Sequence, residues 1–201
     1  MKKIISIIIL SAVTLSIYSQ GIGFGLHTEA GYAFNLPRNN NTSFNYHGLN
    51  IAVTPGYHMT QNIFVGAGIG FYDYKHKLSI LAGTADVNLK SIPVYAYGLY
   101  SFPINAGVKP FVSLKAGYGF ISEKLDYTMT NPSAEWQMKA SGGLYLSPAL
   151  GVLYPINAKH SITLGISYDL QQYQLKKIVE EYGEDSKETN SAISLKLGWF
   201  F

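Results

Sequence analysis

Six residues of this chain belong to the types that move protons or carry charge and fall at matching positions along alternating segments: His27, Glu29, Lys90, Lys115, Asp169 and Lys196. His27 and Glu29, two apart, share one face of an extended segment and have the makings of an acid–base pair, or of a satisfied interior pair. The five charges, taken together, would either line an aqueous path or neutralise one another inside a closed interior, because an unpartnered buried charge is strongly disfavoured. His47, His58, His76 and His160 are scattered, without HExxH-like spacing, and there is no cysteine. That excludes a thiolate metal site and a disulfide framework. Gly66-Ala67-Gly68-Ile69-Gly70 differs from a GxGxxG phosphate loop and reads as small residues lining a crowded interior. No catalytic, metal or cofactor site is expected.

The elements that must hold these residues are strands. Eight segments alternate with period two. The first, Gly21 to about Leu36, sets Ile22, Phe24, Leu26, Thr28, Ala30, Tyr32 and Phe34 on one face; the second, about Gly48 to Tyr57, sets Leu49, Ile51 and Val53 there. The third contributes Ile63, Val65, Ala67, Ile69 and Phe71. The fourth, about Ala85 to Phe102, offers Val87, Leu89, Tyr95, Tyr97 and Leu99, although Ile92, Val94 and Ala96 follow the opposite parity. The fifth has Val112, Leu114, Ala116, Tyr118 and Phe120, and the sixth Leu144, Leu146, Leu150, Val152 and Tyr154. The seventh has Ile162, Leu164, Ile166 and Tyr168, and the last Ile193, Leu195, Leu197, Trp199 and Phe201. Long polar connections (Pro37 to His47, Asp73 to Thr84, Ser122 to Ala140, Gln171 to Thr189) alternate with short ones (His58 to Asn62, Pro103 to Lys109, Pro155 to His160) that carry Asn, Pro or Gly. Pro55, Pro93 and Pro148 fall inside strands, where each removes a ladder donor, so bulges or bends are expected there.

Composition decides which face looks inward. Charged residues are 13% of the chain, against about 25% in soluble domains, so a water-facing surface lacks its usual charges. The second face is rich in Gly and small polar residues, including Asn50, Thr54, Ser147, Ser167 and Ser194, and it carries the charges. This suits a narrow barrel interior, with the apolar face turned to lipid; a lysine facing lipid at midplane costs about 2–4 kcal/mol. Aromatics gather at both strand ends: Tyr57, Tyr97, Phe102, Tyr154, Trp199 and Phe201 at one, Phe34, Phe71, Tyr118, Phe120 and Tyr168 at the other. Amphipathic rings favour headgroup depth. The net charge of +3 and the absence of a basic stripe argue against nucleic acid.

Lys2 and Lys3, the apolar run Ile4 to Ile17 and Ser19 have the form of a secretory signal, so residues 1–19 are expected to be removed, leaving Gln20 first and one barrel domain over 20–201. With this start, the eight segments, Ser91-Ile92-Pro93-Val94-Tyr95, Tyr100-Ser101-Phe102, Lys109-Pro110-Phe111-Val112 and the aromatic ending, the chain resembles the small bacterial outer-membrane β-barrels, the OmpA-like, OmpX-like and OmpW-like proteins. The resemblance implies an all-β, eight-stranded antiparallel up-and-down transmembrane barrel with both termini in the periplasm. It also implies that Leu197, Trp199 and Phe201 form a terminal signal read by the barrel-assembly machinery. As partners it implies outer-membrane lipid, that machinery and periplasmic chaperones, for a monomer without a cofactor. The outward His-x-Ser arrangement of lipid-modifying relatives is not reproduced; His160-Ser161 is adjacent and lies in a turn. Three roles remain open: a non-enzymatic structural or surface-interaction role through the long outer loops, a narrow path for small or apolar solutes, and lipid modification. Since fold does not dictate function, the interior has to decide.

Overall fold

The computed structural model describes residues 23–35, 47–80, 83–104, 107–124, 138–157, 160–177 and 186–201. The expected signal, 1–19, lies outside them, as do Ile22 and much of the long connections. The strand segments are β1 (Phe24–Asn35), β2 (His47–His58), β3 (Ile63–Ile80), β4 (Gly83–Ser101), β5 (Lys109–Lys124), β6 (Met138–Ser141), β7 (Gly143–Pro155), β8 (Ser161–Lys177) and β9 (Ser186–Phe200). Every pairing is antiparallel, and β9 returns to pair with β1. Segments β6 and β7 run end to end along β8, so the nine segments make eight staves of a closed barrel. Closure leaves no unpaired edge in the apolar zone, which a lipid environment demands of strands.

Alternation produces the two surfaces. Leu164, Ile166, Leu195 and Leu197 are half-exposed on the outside, whereas Ser167, Asp169, Ser194 and Lys196, their neighbours in sequence, are buried within. Exposed rings mark both rims: Phe24, Tyr57, Phe102 and Tyr154 near the chain ends, and Phe34, Phe71, Tyr118, Phe120 and Tyr168 at the opposite end. The short connections lie at the end that holds both ends of the sheet. There the Thr60 hydroxyl accepts the Ile63 N–H at 3.0 Å, and the Asn157 side chain accepts the His160 N–H at 2.9 Å. The backbones of Phe201 and Leu26 exchange two hydrogen bonds and fasten the last residue to the first strand.

Four expectations need correction. The fourth stave faces the other way: Ile92, Val94 and Ala96 are outside, and Tyr95, Tyr97 and Leu99 are buried within. The reason lies across the sheet. Gly66, Gly68 and Gly70 of β3 leave interior room that large rings must fill; a Cβ on Gly68 would collide with the Tyr95 ring. Tyr97 therefore leaves the aromatic rim. Secondly, the stretches read as long loops are partly ladder: β3 and β4 stay paired to Ile80↔Gly83, and β8 and β9 to Leu175↔Ser186. Polar side chains do not stop backbone pairing once the strands leave the apolar zone. Thirdly, the prolines interrupt pairing without shifting it. Val53↔Ile69 and Gly56↔Gly66 hold one register across Pro55, as do Ile69↔Val94 and Tyr72↔Ser91 across Pro93, and Leu146↔Leu170 and Ala149↔Ser167 across Pro148. A missing N–H removes a bond but inserts no residue. Finally, the extra residue sits elsewhere. Between Ser141↔Gln174 and Tyr145↔Gln171 the β6–β7 side has one residue more than β8, a bulge at Gly142 and Gly143.

Candidate functional site

The residues singled out for chemistry meet in the lumen, with one exception. Lys90 shares the parity of Ile92 and is exposed on the outer face, across the ladder from Asp73. Its expected place in the interior network rested on the reversed facing of β4, and the correction removes it. His27, Glu29, Lys115, Asp169 and Lys196 stand inside, in the first two of three layers.

The layer nearest the chain ends is aromatic. Antiparallel closure brings His27 of β1 beside Phe200 of β9, and the two rings stack at 4.0 Å with planes 6° apart. Tyr97 also stacks with His27 at 5.5 Å, with planes 18° apart, and Phe64 packs edge-on against Phe200 at 5.0 Å. His27 Nε2 lies 3.2 Å from the Thr163 hydroxyl. No hydrogen bond joins His27 to Glu29, so the two do not form an acid–base dyad. A ring 1% exposed and stacked against two others has no room for a substrate.

The middle layer is ionic. Glu29 of β1 pairs with Lys115 of β5, on the opposite side of the barrel. The Lys115 ammonium also lies over the rings of Tyr95 and Tyr97, at 5.0 and 5.6 Å from their centres, an arrangement that favours a desolvated cation. The Tyr95 hydroxyl reaches Thr54 on β2 at 3.0 Å. Further along, Lys196 of β9 donates to Asp169 of β8 at 2.9 Å and to the Ser147 hydroxyl at 3.2 Å. Asp169 also accepts from Ser147 and Ser194, each at 2.5 Å, and from Ser167 at 3.2 Å. Ser194 in turn accepts from Asn50 at 3.2 Å. The side chains of Asp169 and Lys196 are 2% and 5% exposed, so this cluster is dry, and its polar groups satisfy one another as burial requires.

A tyrosine layer closes the far side. The hydroxyls of Tyr72 on β3 and Tyr145 on β7 meet at 2.5 Å across the lumen, with the Lys196 ammonium 3.5 Å from Tyr72. Tyr74 lies against Tyr72 at 5.7 Å. At the register of Tyr72 and Tyr145, the Ser91 hydroxyl on β4 donates to Gln171 on β8 at 2.8 Å. Among the described residues the interior thus carries rings on both sides of an ionic middle, and its two acids are paired with its two lysines.

Sequence reasoning found the small polar partners, Asn50, Thr54, Ser147, Ser167 and Ser194, by their parity. It missed the rings, Phe64, Tyr72, Tyr95, Tyr97, Tyr145 and Phe200, because an aromatic residue reads as rim or lipid face. The available signal was position: Tyr72 and Tyr74 share parity with Gly66, Gly68 and Gly70 on the same strand. The terminal trio Leu197, Trp199 and Phe201 lies outside the lumen at the closing seam, with Leu197 and Trp199 exposed.

Residues 5–201 match the model of one family, described as outer membrane protein beta-barrel domain. Among solved structures, the outer membrane protein OprG from Pseudomonas aeruginosa is similar with a TM-score of 0.61 at 13% identity, over 90% of this chain and 97% of that one. Neisserial surface protein A gives 0.57 at 15% identity, over 90% and 98%. A major outer membrane protein from Thermus thermophilus gives 0.53 at 16% identity, over 89% and 98%. At such identities the likeness is one of fold. No curated protein matches the sequence.

Proposed function

The chain belongs to the outer membrane protein beta-barrel domain family, and from that premise we propose that it serves the bacterial outer membrane as a sealed, non-enzymatic barrel. Its role lies in membrane structure or in surface interaction through the ladders and loops that rise above the bilayer. The paired charges and ring layers of the lumen carry this reading. Ion pairs Glu29–Lys115 and Lys196–Asp169 occupy the middle, and ring layers stand on both sides of them. A conducting path would need water along these charges, yet each is held by protein groups at contact distance. What the barrel offers to the outside is therefore its wall: β3 with β4, and β8 with β9, continue beyond the apolar zone as paired strands.

The same reading includes removal of 1–19 to leave Gln20, a monomer in outer-membrane lipid, and passage by way of periplasmic chaperones to the assembly machinery, with Leu197, Trp199 and Phe201 as the terminal signal. A lipid-modifying activity has no support from geometry: His27 is enclosed by Phe200 and Tyr97. Planar-bilayer recording tests the proposal. Wild-type protein should give no steady openings, while Tyr72→Ala/Tyr145→Ala, which removes the far ring layer, should give small ones. Steady openings from the wild type would refute the sealed reading. Changed acyl composition of outer-leaflet lipid in cells that make the protein would refute the non-enzymatic one.

A further inference from the structure

Each short connection carries an exposed apolar residue. Met59 lies between β2 and β3, Ile104 and Val108 between β4 and β5, and Ile156 between β7 and β8. Their exposures, 56%, 47%, 42% and 46%, match the 48% of Leu164 on the lipid face. The ladder continues into the turns and fixes which way they look. Tyr57 pairs with Val65 on the outer face, and two residues on the Met59 N–H donates to the Ile63 carbonyl at 3.0 Å. Tyr154 pairs with Ile162, and the Ile156 N–H donates to the His160 carbonyl at 2.9 Å. Met59 and Ile156 therefore extend outward rows by one period. Between β4 and β5, Tyr100 pairs with Val112 and the Phe102 N–H donates to the Pro110 carbonyl at 2.8 Å, with Ile104 and Val108 beyond them. Two residues of a strand tilted by about 40° advance about 5 Å along the membrane normal. A headgroup layer is about 5–8 Å deep. A residue one period past the aromatic rim is still within it.

Two further observations say what covers these residues. The three turns and the β9–β1 seam alternate around the barrel, one at every second junction of its eight staves. At the seam, Trp199 and Phe201 pack on each other and on His160, with ring centres 5.9 to 6.1 Å apart. The rim is thus apolar on all four sides. The sequence of the connections, 58–62, 102–109 and 155–160, also contains no Asp or Glu; Lys109 and Lys159 are the lysines there. Every acid outside the lumen falls in or beside the long connections of the opposite end. Acidic side chains would be repelled by lipid phosphates. A protein partner would take one flank of such a rim or cap it from below. Apolar residues that look sideways on four sides, in continuity with the lipid-facing wall, fit a lamella that surrounds the barrel. We infer that the short connections are seated in the headgroup layer of the periplasmic phospholipid leaflet, with Met59, Ile104, Val108 and Ile156 among the lipids, and do not stand free in the periplasm. The inference rests on the outer-membrane reading for the presence of that leaflet, and adds the depth at which the barrel sits and the residues that hold it there.

The chain contains no cysteine, so a nitroxide label can be placed at one position at a time. Met59→Cys, Ile104→Cys and Ile156→Cys are labelled and refolded in vesicles of phosphatidylethanolamine and phosphatidylglycerol, and gel mobility of unheated samples confirms the folded barrel. Power saturation of the spin signal then compares collisions with oxygen, which partitions into lipid, and with a water-soluble nickel chelate present on both sides of the membrane. Leu164→Cys serves as the reference within lipid. Gln172→Cys serves as the reference in water, since Gln172 is exposed four residues past Tyr168. All three turn sites should meet the nickel chelate about threefold less often than Gln172 does, as expected of an apolar surface at the interface, and more often than Leu164. A protected Leu164 with turn sites as accessible as Gln172 would overturn the seating alone. Protection at one turn but not at the other two would overturn the surrounding lamella in favour of a one-sided contact. Free access to Leu164 as well would overturn the membrane reading itself.

Discussion

Removing Asp169 is the sharpest probe of the lumen. Its carboxylate receives one ammonium and three serine hydroxyls, and its side chain is 2% exposed. Asp169→Leu would leave the Lys196 ammonium, 5% exposed, without its counterion, and three hydroxyls without an acceptor. Breaking a buried pair by deleting one partner costs about 3–5 kcal/mol, and that is the expected loss of folding stability. Lys196→Met should cost less, because Asp169 keeps its three serine donors, each worth about 1 kcal/mol. The double variant removes both charges and leaves only short-range hydrogen bonds unmade. It should therefore be more stable than the sum of the single losses by about 2 kcal/mol or more. Equilibrium unfolding in lipid vesicles, followed by tryptophan fluorescence and by gel mobility of unheated samples, gives the three free energies. If the double variant equals that sum within about 0.5 kcal/mol, the two charges are not coupled, and the description of a mutually neutralising interior is wrong.

Leu164, half-exposed on the outer face between Val152 and Leu197, should tolerate arginine poorly: Leu164→Arg is expected to lose about 2–4 kcal/mol in vesicles, and unchanged stability would place the residue away from lipid. Gly68→Leu would drive its side chain into Tyr95 and Thr54, and should cost about 1–3 kcal/mol from overpacking; Gly68→Leu/Tyr95→Ala should recover part of the loss, and no recovery would tell against the ring–glycine match. Deleting Phe201 removes the backbone bonds to Leu26 and should lower the amount of folded barrel in the outer membrane while export to the periplasm continues; normal levels would remove Phe201 from the assembly signal.

Most of the wall was legible because lipid and a narrow lumen impose opposite demands on alternate residues. In β9, Ile193, Leu195, Leu197 and Trp199 alternate with Ser194, Lys196 and Gly198 without exception, and so the facing could be read directly. In β4 both faces carry bulky apolar residues. Tyrosine serves equally at a membrane rim and inside a lumen, and glycines on the next strand, invisible to a one-strand reading, decide between them. Lys90 was misplaced for that reason alone. The pairing beyond the apolar zone left no trace in hydropathy, since a ladder in water needs only backbone. The lumen pairs show the same limit. Parity put Glu29, Lys115, Asp169 and Lys196 inside, but which charge met which depended on the curvature of the closed wall.

Glu29 and Lys115 sit on β1 and β5, staves that face each other across the barrel axis. With Tyr72 to Tyr145 and Ser91 to Gln171, this tie acts as a spoke in a wheel whose rim is the sheet. A thin tube squeezed from the side tends to flatten into an ellipse; ties across its bore carry the load from one wall to the other. Lateral pressure from crowded neighbours would then be borne in compression along the bore, and the cross-section would stay round even where a proline has left the rim one bond short.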